Sequence, residues 1–458
     1  MKKNYLFLLL SLICTFSFSQ SFIWADENSQ QTQEEAIFTP MEHIYVAPPE
    51  PVEEFIPFED IKHFKLDEKN NKIGYLQNYA RENNLQARIM WVDATANLGR
   101  TNTVDGIREI VDNIKKYGFN MVVMDVKPIS GEVLYPSKYA PKITKFRDFY
   151  LPPEFDPVEV FVEYAKDQGL EIVASMNTFS EGHRMFDVGP AYEKKEWQAI
   201  ICEPRMYLEG LAGGKALVAP RVNTSARGEH EIAVYTDINQ VKYSNTSIIS
   251  IIDSSNRILL TTDGNMFPFL DIKLPTGGAV LVGKNDSANF LRQYTNMGTE
   301  LKPILEQAFV PIEDAQTWTI PLWVNPNNPE VRQRLLDMTA ELMNNYDFDG
   351  VIYDDRMRFT DVNSDMSELS RTAFEKYIGK KLNWPDDVLR WEVDFPSMQR
   401  RMIPGPYMEA WIVWRNMSIT NWLIDSVNTV KSIRNDATVS VYVGSWYGEY
   451  SGYGSNWA

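Results

Sequence analysis

The sequence predicts an α/β fold in which parallel strands alternate with helices, as in α/β barrels. From about Ala87, short apolar runs alternate with longer amphipathic runs, which is the pattern of a parallel sheet covered by helices. Two carboxylates, Asp354 and Asp355, directly follow the short apolar run at residues 351–353. In α/β barrels the catalytic groups lie where the strands end. These two observations together indicate an enzyme.

The first strand covers residues 87–93 and ends in a carboxylate, Asp93. Thr103 then suits a helix N-cap, because its hydroxyl can accept a hydrogen bond from an unpaired amide of the first turn. Gly118 suits the end of that helix, since glycine adopts the left-handed conformation without steric cost. The second strand follows at residues 121–127.

Two later helices begin with a capping residue followed by proline, at residues 156–157 and 328–329. The cap accepts from free amides, and proline has no N–H to leave unpaired at the first helical position. The third strand, residues 170–176, comes after the first of these helices, and the fourth strand, residues 351–353, after the second. Apolar runs this short suit strands that are buried on both faces.

Regular alternation stops between residues 205 and 318, which we expect to form a separate β-rich domain inserted after the third strand. Turn residues there separate four runs with strand character: residues 231–236, 247–252, 258–262 and 279–283. A loop of this length without structure of its own is uncommon. The domain is expected to lie over the catalytic face, where loops leaving strand ends are found, or else to serve stability or secretion without touching substrate.

Five units of strand and helix are visible, out of the eight in a closed barrel. The fifth strand covers residues 438–444, and a loop rich in Gly, Tyr and Trp follows it. We therefore expect an incomplete barrel. Its first part lies in residues 87–204, and its continuation, truncated after the fifth strand, lies in residues 319–458.

Residues 1–19 have the features of a signal peptide, with two lysines, an apolar run and small residues before Gln20. We expect export to the periplasm or the extracellular space. Lipid attachment at Cys14 is less favoured, because the residues just before it are large. Residues 20–64 are expected to be a disordered, proline-rich linker, since residues 26–60 hold ten Asp or Glu and neither Lys nor Arg.

Composition excludes several classes of partner. A formal net charge of -17 at pH 7 argues against nucleic acid, and no run after the signal peptide is long and apolar enough for a transmembrane segment. Cys202 is the only cysteine left after signal cleavage, so neither a disulfide nor a Cys-based metal site is expected. No cofactor is predicted, because no Gly-rich phosphate-binding turn occurs where a strand meets a helix. The oligomeric state stays open.

Several short motifs occur in a fixed order along the chain. They are MWVD at residues 90–93, YGFN at 117–120, LYPS at 134–137, FDP at 155–157, NP at 325–326, PEVR at 329–332, YDFDG at 346–350 and DD at 354–355. Together these motifs resemble the glycosyl hydrolase-like family 10 proteins of bacterial envelopes, over about residues 87–458 apart from the insert. The resemblance implies a TIM-type (β/α)8 barrel that acts on glycosidic bonds, with peptidoglycan glycan strands as one substrate. Asp125 and Lys127 stand where that family usually has Gln and Arg.

Glycoside hydrolysis usually needs two carboxyl groups, one protonated and one ionised. The DG-x-x-x-D pattern ending at Asp354 is similar to the fourth-strand pattern of the α-amylase group, and this similarity implies that Asp354 is the nucleophile or charge stabiliser. Glu449 is the first candidate for the acid, and Asp125 is the second. Asp355 points away from Asp354, because neighbouring residues on a strand face opposite sides. It is expected to pair with Arg356 or Arg358, or to cap the turn.

Further polar and aromatic residues at the strand ends are candidates for substrate binding. They are Trp91, Asp93, Lys127, Asn177, His183, Asp355 and Arg358. A structural hydrogen bond or core packing is the alternative for each of them. No metal site is predicted, although four aspartates (Asp93, Asp125, Asp354 and Asp355) are an alternative set of oxygen ligands for a divalent cation.

The sequence therefore predicts an exported glycoside hydrolase that cleaves O-glycosidic bonds in a polysaccharide. The alternative is a non-catalytic carbohydrate-binding protein, or a degenerate or truncated copy of a hydrolase. The two differ in whether a second carboxyl lies within about 5–10 Å of Asp354.

Overall fold

The computed structural model describes residues 86–219, 231–317 and 319–442. The predicted signal peptide and linker and the acid candidate Glu449 lie outside these residues. Among the described helices, none is both long and apolar enough to cross a bilayer.

The elements are numbered in chain order. The strands are β1 (Ile89–Val92), β2 (Met121–Lys127), β3 (Lys145–Phe146), β4 (Phe149–Tyr150), β5 (Glu171–Met176), β6 (Ser180–His183), β7 (Ile200–Glu209), β8 (Lys215–Ala219), β9 (Ile232–Tyr235), β10 (Ile248–Ile252), β11 (Ile258–Asp263), β12 (Ala279–Gly283), β13 (Pro303–Pro311), β14 (Pro321–Trp323), β15 (Gly350–Tyr353), β16 (Leu389–Asp394), β17 (Gln399–Pro404) and β18 (Thr438–Val441). The helices are α1 (Leu98–Thr101), α2 (Val104–Lys116), α3 (Pro157–Asp167), α4 (Pro190–Glu193), α5 (Asn285–Leu291), α6 (Pro329–Asn345), α7 (Glu368–Ile378) and α8 (Met408–Ile433), with short 3-10 turns at Lys195–Trp197, Ile238–Gln240 and Phe267–Phe269.

The central sheet contains the five predicted strands in the order β1-β2-β5-β15-β18. All four neighbouring pairs are parallel. The α/β class is therefore present, with one strand for each of the five predicted units. Within the described residues the sheet is open, with β1 and β18 at its edges, and no closed barrel forms. The expected TIM-type barrel is not confirmed, because these five strands, over the part of the chain that is described, form one open sheet whose edge strands, β1 and β18, are not hydrogen-bonded to each other.

One face of the central sheet packs against the helices. Val92, Met124, Met176 and Tyr353 lie on this face and join one apolar core with the buried sides of α2, α3, α6 and α8. On α6 the buried residues are spaced by one helical turn, as the sequence predicts: Val331, Leu335, Met338 and Leu342. This packing leaves the other face of the sheet for the alternate residues of each strand.

The predicted helix caps fix where the helices begin. The Asn328 side chain accepts from the backbone amide of Glu330 at 2.9 Å, and Pro329 is the first residue of α6. The Asp156 carboxylate accepts from the amide of Val158 at 2.9 Å at the start of α3. Because both helices lead directly into central strands, these caps set where β5 and β15 enter the sheet.

Gly350 lets β15 lie directly against β18. A Cβ at this position would lie 2.2 Å from Thr438 Oγ1 and 2.4 Å from the Thr438 carbonyl oxygen. Non-bonded heavy atoms meet at about 3.5–4.0 Å, so no side chain fits at residue 350 without moving β18.

Between β5 and β15 the chain builds a second sheet of seven strands, in the order β11-β10-β12-β9-β8-β7-β13. Its pairs are antiparallel except β8 with β9. Four strands, β9 to β12, lie where the sequence predicts them. The sequence reading missed β7, β8 and β13, and the sheet begins at Ile200, before the expected boundary. Pro204 and its charged neighbours in β7 hide that strand, since proline within a run argues against a strand.

Apolar side chains cover both faces of this second sheet. Met206, Leu281 and Phe290 belong to the cluster on one face, and Ile249, Val280 and Phe267 to the cluster on the other. The β16–β17 hairpin contacts its edge strand β13, where Gln307 and the backbone of Trp391 exchange hydrogen bonds of 2.9 and 3.0 Å. The insert is thus tied to the segment that follows the fourth central strand.

Candidate functional site

The carboxyl ends of the five parallel strands meet at one edge of the central sheet. Asp93 follows β1, Asp125 lies near the end of β2, Asn177 follows β5 and Asp354 follows β15. Asp125 is in register with Ser175, which in turn is in register with Ile352. Since side chains alternate between the two faces of a strand, Asn177 and Asp354 continue on the same face as Asp125. We call this the carboxyl edge.

Asp354 is half-buried at the start of the loop after β15. Its backbone amide donates to the Met176 carbonyl at 3.2 Å, and its Oδ1 accepts from the Arg356 amide at 3.0 Å. Burial, and then the nearby charge of Asp355, raise the pKa of Asp354 to about 7, against opposing effects of Arg356 and Lys127. The carboxyl group therefore changes its charge near neutral pH and keeps part of its surface open.

Asp125 is buried in β2 and has few hydrogen bonds. Its Oδ2 accepts from the Ala94 amide at a long 3.5 Å, while Oδ1 has no hydrogen-bond partner within the part of the chain that is described. Burial raises the pKa of Asp125 well above its ordinary value, and the charges of Asp93 and Asp354 raise it further. These effects favour the protonated form of Asp125, and Asp125 interacts electrostatically with Asp354.

Asp93 and Trp91 lie at the open side of the carboxyl edge. The Asp93 carboxylate accepts from Thr95 Oγ1 at 2.9 Å and from the Ala96 amide at 2.6 Å, so it closes the turn before α1. The Trp91 side chain is 38% exposed, and its ring lies 6.1 Å from that of Tyr442 at a near-perpendicular angle. This pair provides an accessible aromatic surface beside the carboxylates.

Lys127 is completely buried. Its Nζ donates to the carbonyl oxygens of Asn177 at 2.7 Å and Ser180 at 2.9 Å, and lies 3.0 Å from Glu181 Oε1. An ammonium has three hydrogens, and three protein oxygens surround this one. This arrangement favours an internal role for Lys127 over the predicted contact with substrate. Asn177 is also buried, and its Oδ1 has no partner among the described residues.

The loop after β15 is ordered by two arginines. Asp355 pairs with Arg356, one of the two partners expected from the sequence. Arg358 donates from Nε to the Asp355 carbonyl at 2.9 Å and from Nη1 to the Phe359 carbonyl at 3.1 Å. Its guanidinium also lies 4.7 Å from the centre of the Trp323 ring. These contacts shape the loop that begins at Asp354.

His183 lies in β6 and stacks on Phe186, with 4.4 Å between the ring centres. Its Nδ1 is buried without a hydrogen-bond partner in the described ranges. Burial lowers the pKa of His183, which keeps the ring neutral at neutral pH. Its predicted role in orienting substrate stays a prediction.

Sequence reasoning missed two charged residues that lie behind the carboxyl edge, Glu181 and Arg334. Glu181 is fully buried and contacts both Lys127 and Arg334. The segment at residues 180–183 reads as a polar loop, so nothing in it marks Glu181 as buried. The available signal was Lys127 itself, because a lysine within a buried strand requires a partner of opposite charge.

No group of three or more His, Cys, Asp or Glu residues is arranged to hold a metal ion in the described ranges. The four aspartates that the sequence offered as alternative oxygen ligands therefore form no such group.

Comparisons with known proteins bear on the predicted resemblance. Residues 311–456 match the model of the Glycosyl hydrolase-like 10 family, which confirms the resemblance over that part of the chain. An S-layer-related protein from Niallia circulans is 24% identical over 385 residues, which are 81% of this chain. The chain spans 17% of the length of that relative.

Solved structures give partial likenesses. The PgaB (BpsB) glycoside hydrolase domain from Bordetella bronchiseptica aligns with a TM-score of 0.38 and 11% identity, over 81% of this chain and 70% of its own. Alpha-L-fucosidase isoenzyme 2 from Paenibacillus thiaminolyticus aligns with a TM-score of 0.38 and 10% identity, over 79% of this chain and 33% of its own.

Proposed function

We propose that this protein is an exported glycoside hydrolase that cleaves O-glycosidic bonds in a polysaccharide at the carboxyl edge. The observation that carries the proposal is the pair Asp354 and Asp125. Each has a raised pKa, and the charge of Asp354 contributes to the shift of Asp125. The match to the Glycosyl hydrolase-like 10 family supports a carbohydrate as the ligand.

The two carboxyl groups are suited to different roles. Burial, and then the charges of Asp93 and Asp354, raise the pKa of Asp125 and favour its protonated form, so it is the candidate that protonates the leaving oxygen. Asp354 is ionised above about pH 7 and is partly open. It either attacks the anomeric carbon or stabilises the positive charge that develops there. A water molecule then supplies the hydroxyl of the new reducing end and returns a proton to the acid.

Trp91 and Tyr442 are the candidates for holding the sugar ring. Both side chains are exposed, at 38% and 53%, and they lie together at the carboxyl edge. The apolar face of a pyranose can stack on an aromatic ring. This surface also favours the alternative function, a non-catalytic carbohydrate-binding protein, because stacking requires no carboxyl chemistry.

Export is part of the proposal. The signal-peptide features of residues 1–19 and the likeness to an S-layer-related protein support an envelope or extracellular location. Peptidoglycan glycan strands and environmental polysaccharides are therefore the substrates to test first.

The test compares Asp354→Asn, Asp125→Asn and the native chain by release of reducing ends from such polysaccharides. We expect each substitution to lower the rate about 10²–10⁴-fold, the usual contribution of one acid or base group. Asp271→Asn is the matched control, because Asp271 is an exposed aspartate of the insert. A similar loss in Glu449→Gln but not in Asp125→Asn would reassign the acid to Glu449.

Binding measurements separate the two functions. Calorimetric titration with the same glycans should show that Asp354→Asn still binds. Binding without hydrolysis by the native chain would favour the carbohydrate-binding protein. Neither binding nor hydrolysis across the panel would contradict both functions.

A further inference from the structure

Three charged side chains meet directly behind the carboxyl edge, away from solvent. Lys127 and Glu181 have fully buried side chains and lie 3.0 Å apart, Nζ to Oε1. Arg334, from α6, lies 3.1 Å from the other oxygen of Glu181 and is 12% exposed. The cluster thus joins β2, β6 and α6 through one carboxylate.

The backbone is built tightly around Glu181. Gly131 has a φ of +77°, and a Cβ there would lie 2.7 Å from the Glu181 Cα. Gly189 has a φ of +122°, and a Cβ there would lie 2.6 Å from the Glu181 carbonyl oxygen. Only glycine permits both these backbone conformations and these close approaches. A Cβ at residue 131 would also lie 2.7 Å from Glu181 Oε2, so the two glycines leave the space that the backbone and carboxylate of Glu181 occupy.

A buried ion pair is a poor way to gain stability, because the cost of removing two charges from water usually offsets their attraction. Apolar side chains of similar volume would fill this space at least as well. The position of the cation offers a reason for keeping it. Lys127 donates to the Asn177 carbonyl at 2.7 Å, and the Asp354 amide donates to the preceding carbonyl, that of Met176, at 3.2 Å. Both residues are thus tied to the end of β5, and the charge of Lys127 lowers the pKa of Asp354.

We propose that Glu181 is a positioning residue. It keeps the Lys127 ammonium charged and fixed at the end of β5, next to the strand that leads into Asp354, while Arg334 holds the second oxygen of Glu181. The chemical importance of Asp354 rests on the proposed function, whereas the electrostatic link from Glu181 through Lys127 to Asp354 does not. Asp355 is the negative group that raises the pKa of Asp354, and Arg356 is the second cation that lowers it. Asp125 is a neighbouring carboxyl group whose protonated form is favoured by burial.

The expected effect of losing Glu181 follows from this chain of contacts. Burial lowers the pKa of Lys127, and Glu181 opposes that shift. In Glu181→Gln the ammonium loses its counter-ion and becomes neutral at a lower pH. Neutral Lys127 no longer stabilises the ionised carboxylate of Asp354, so the titration midpoint of Asp354 moves upward.

The test is a pH titration of the full-length chain by ¹³C NMR of the aspartate carboxyl groups, with Asp354 assigned from Asp354→Asn. We expect Glu181→Gln to raise the Asp354 midpoint by about one pH unit, the size of effect typical of a neighbouring charge. Glu375→Gln is the matched control. Glu375 is also a buried carboxylate with two cations, Arg371 and Lys381, but it belongs to α7.

An unchanged midpoint in Glu181→Gln, together with a loss of thermal stability like that of Glu375→Gln, would overturn the proposal and leave Glu181 a structural residue. If Glu181→Gln does not fold, Lys127→Met/Glu181→Met removes both buried charges at once and must give the same upward shift.

The readout needs no enzymatic activity. A shift without glycan hydrolysis would support the positioning role and count against the proposed hydrolase. Where hydrolysis is measurable, the acidic limb of kcat should move with the midpoint, with little change in KM.

Discussion

The ionised carboxylate of Asp354 destabilises the folded state, because burial and the charge of Asp355 both disfavour a negative charge at this position. Its pKa is about 7 in the folded chain, compared with an ordinary value of 3.8. The folded state thus binds the proton more tightly than the unfolded state. Protonated Asp354 makes its full contribution to the free energy of unfolding below about pH 4, and this contribution is lost as the pH rises through 7.

This sign gives a prediction for Asp354→Asn. Between pH 5 and pH 8 the free energy of unfolding of the native chain should fall relative to that of the variant by about 2 kcal/mol, since one pKa unit corresponds to about 1.4 kcal/mol and part of the side chain is solvated. Urea unfolding of both proteins at the two pH values measures the difference. A constant difference across this range would show that Asp354 titrates near its ordinary pKa.

At the residue scale, sequence reasoning predicted the positions of the polar side chains better than it predicted their roles. Asp354, Asp125 and Asn177 were predicted from their places at strand ends, and all of them lie at the carboxyl edge. Whether a charged side chain turns inward cannot be read locally. Lys127 was expected to face a substrate, but its ammonium lies among Asn177, Ser180 and Glu181, which are distant in sequence.

At the scale of elements, the close contact between β15 and β18 depends on Gly350, which has no side chain. Gly350→Ala would place a methyl group 2.4 Å from the Thr438 carbonyl oxygen. We expect a loss of about 1–3 kcal/mol in the free energy of unfolding, which is the usual cost of forcing an extra methyl into a packed site. Chemical denaturation measures this loss.

Thr438→Ala provides the control for that prediction. It removes the hydroxyl that would lie 2.2 Å from the new methyl group but leaves the backbone carbonyl in place. The double variant should therefore recover only part of the stability. Full recovery would mean that the hydroxyl alone causes the clash, and no loss in Gly350→Ala would mean that β18 moves away freely.

Helices whose first residues carry a recognisable cap could be predicted from the sequence. Strands that form only by pairing with a distant segment of the chain could not. The helices α3 and α6 begin at Asp156 and Asn328, because a cap and a proline are read from adjacent residues. The strands β7 and β13 carry proline and charged residues, and they become strands because they pair with each other over nine residues each. Such pairing across about a hundred residues leaves no local mark.

At the scale of the whole molecule, the insert leaves and rejoins the central fold at one place. The Ile312 amide donates to the Ala199 carbonyl at 2.9 Å, and β7 and β13 run antiparallel from there. At the far end of this pair, the Glu209 amide donates to the Lys302 carbonyl at 3.0 Å. The chain could therefore be joined across this ladder without moving its ends.

We predict that excising residues 210–301, with a short Gly-Ser turn from Glu209 to Lys302, leaves the central fold intact. The remaining hairpin keeps its hydrogen bond to Asp365, whose Oδ1 accepts from the Ile200 amide at 2.5 Å. Circular dichroism should show one cooperative thermal transition. Loss of cooperativity would mean that the two sheets fold as a unit. A folded variant that still hydrolyses glycan would make the insert an appendage, and loss of hydrolysis would assign it to substrate binding.

The ion pair of Lys127 and Glu181 also constrains how this sequence can change over time. Losing Glu181 alone leaves the Lys127 ammonium buried without a counter-ion, and losing Lys127 alone leaves Glu181 with Arg334 as its remaining cation. Breaking a buried ion pair costs about 3–5 kcal/mol, which is comparable to the whole stability margin of many domains. Single substitutions at either position are therefore expected to be selected against. Homologues are expected to keep both charges or to have exchanged both, so that positions 127 and 181 are inherited as one unit.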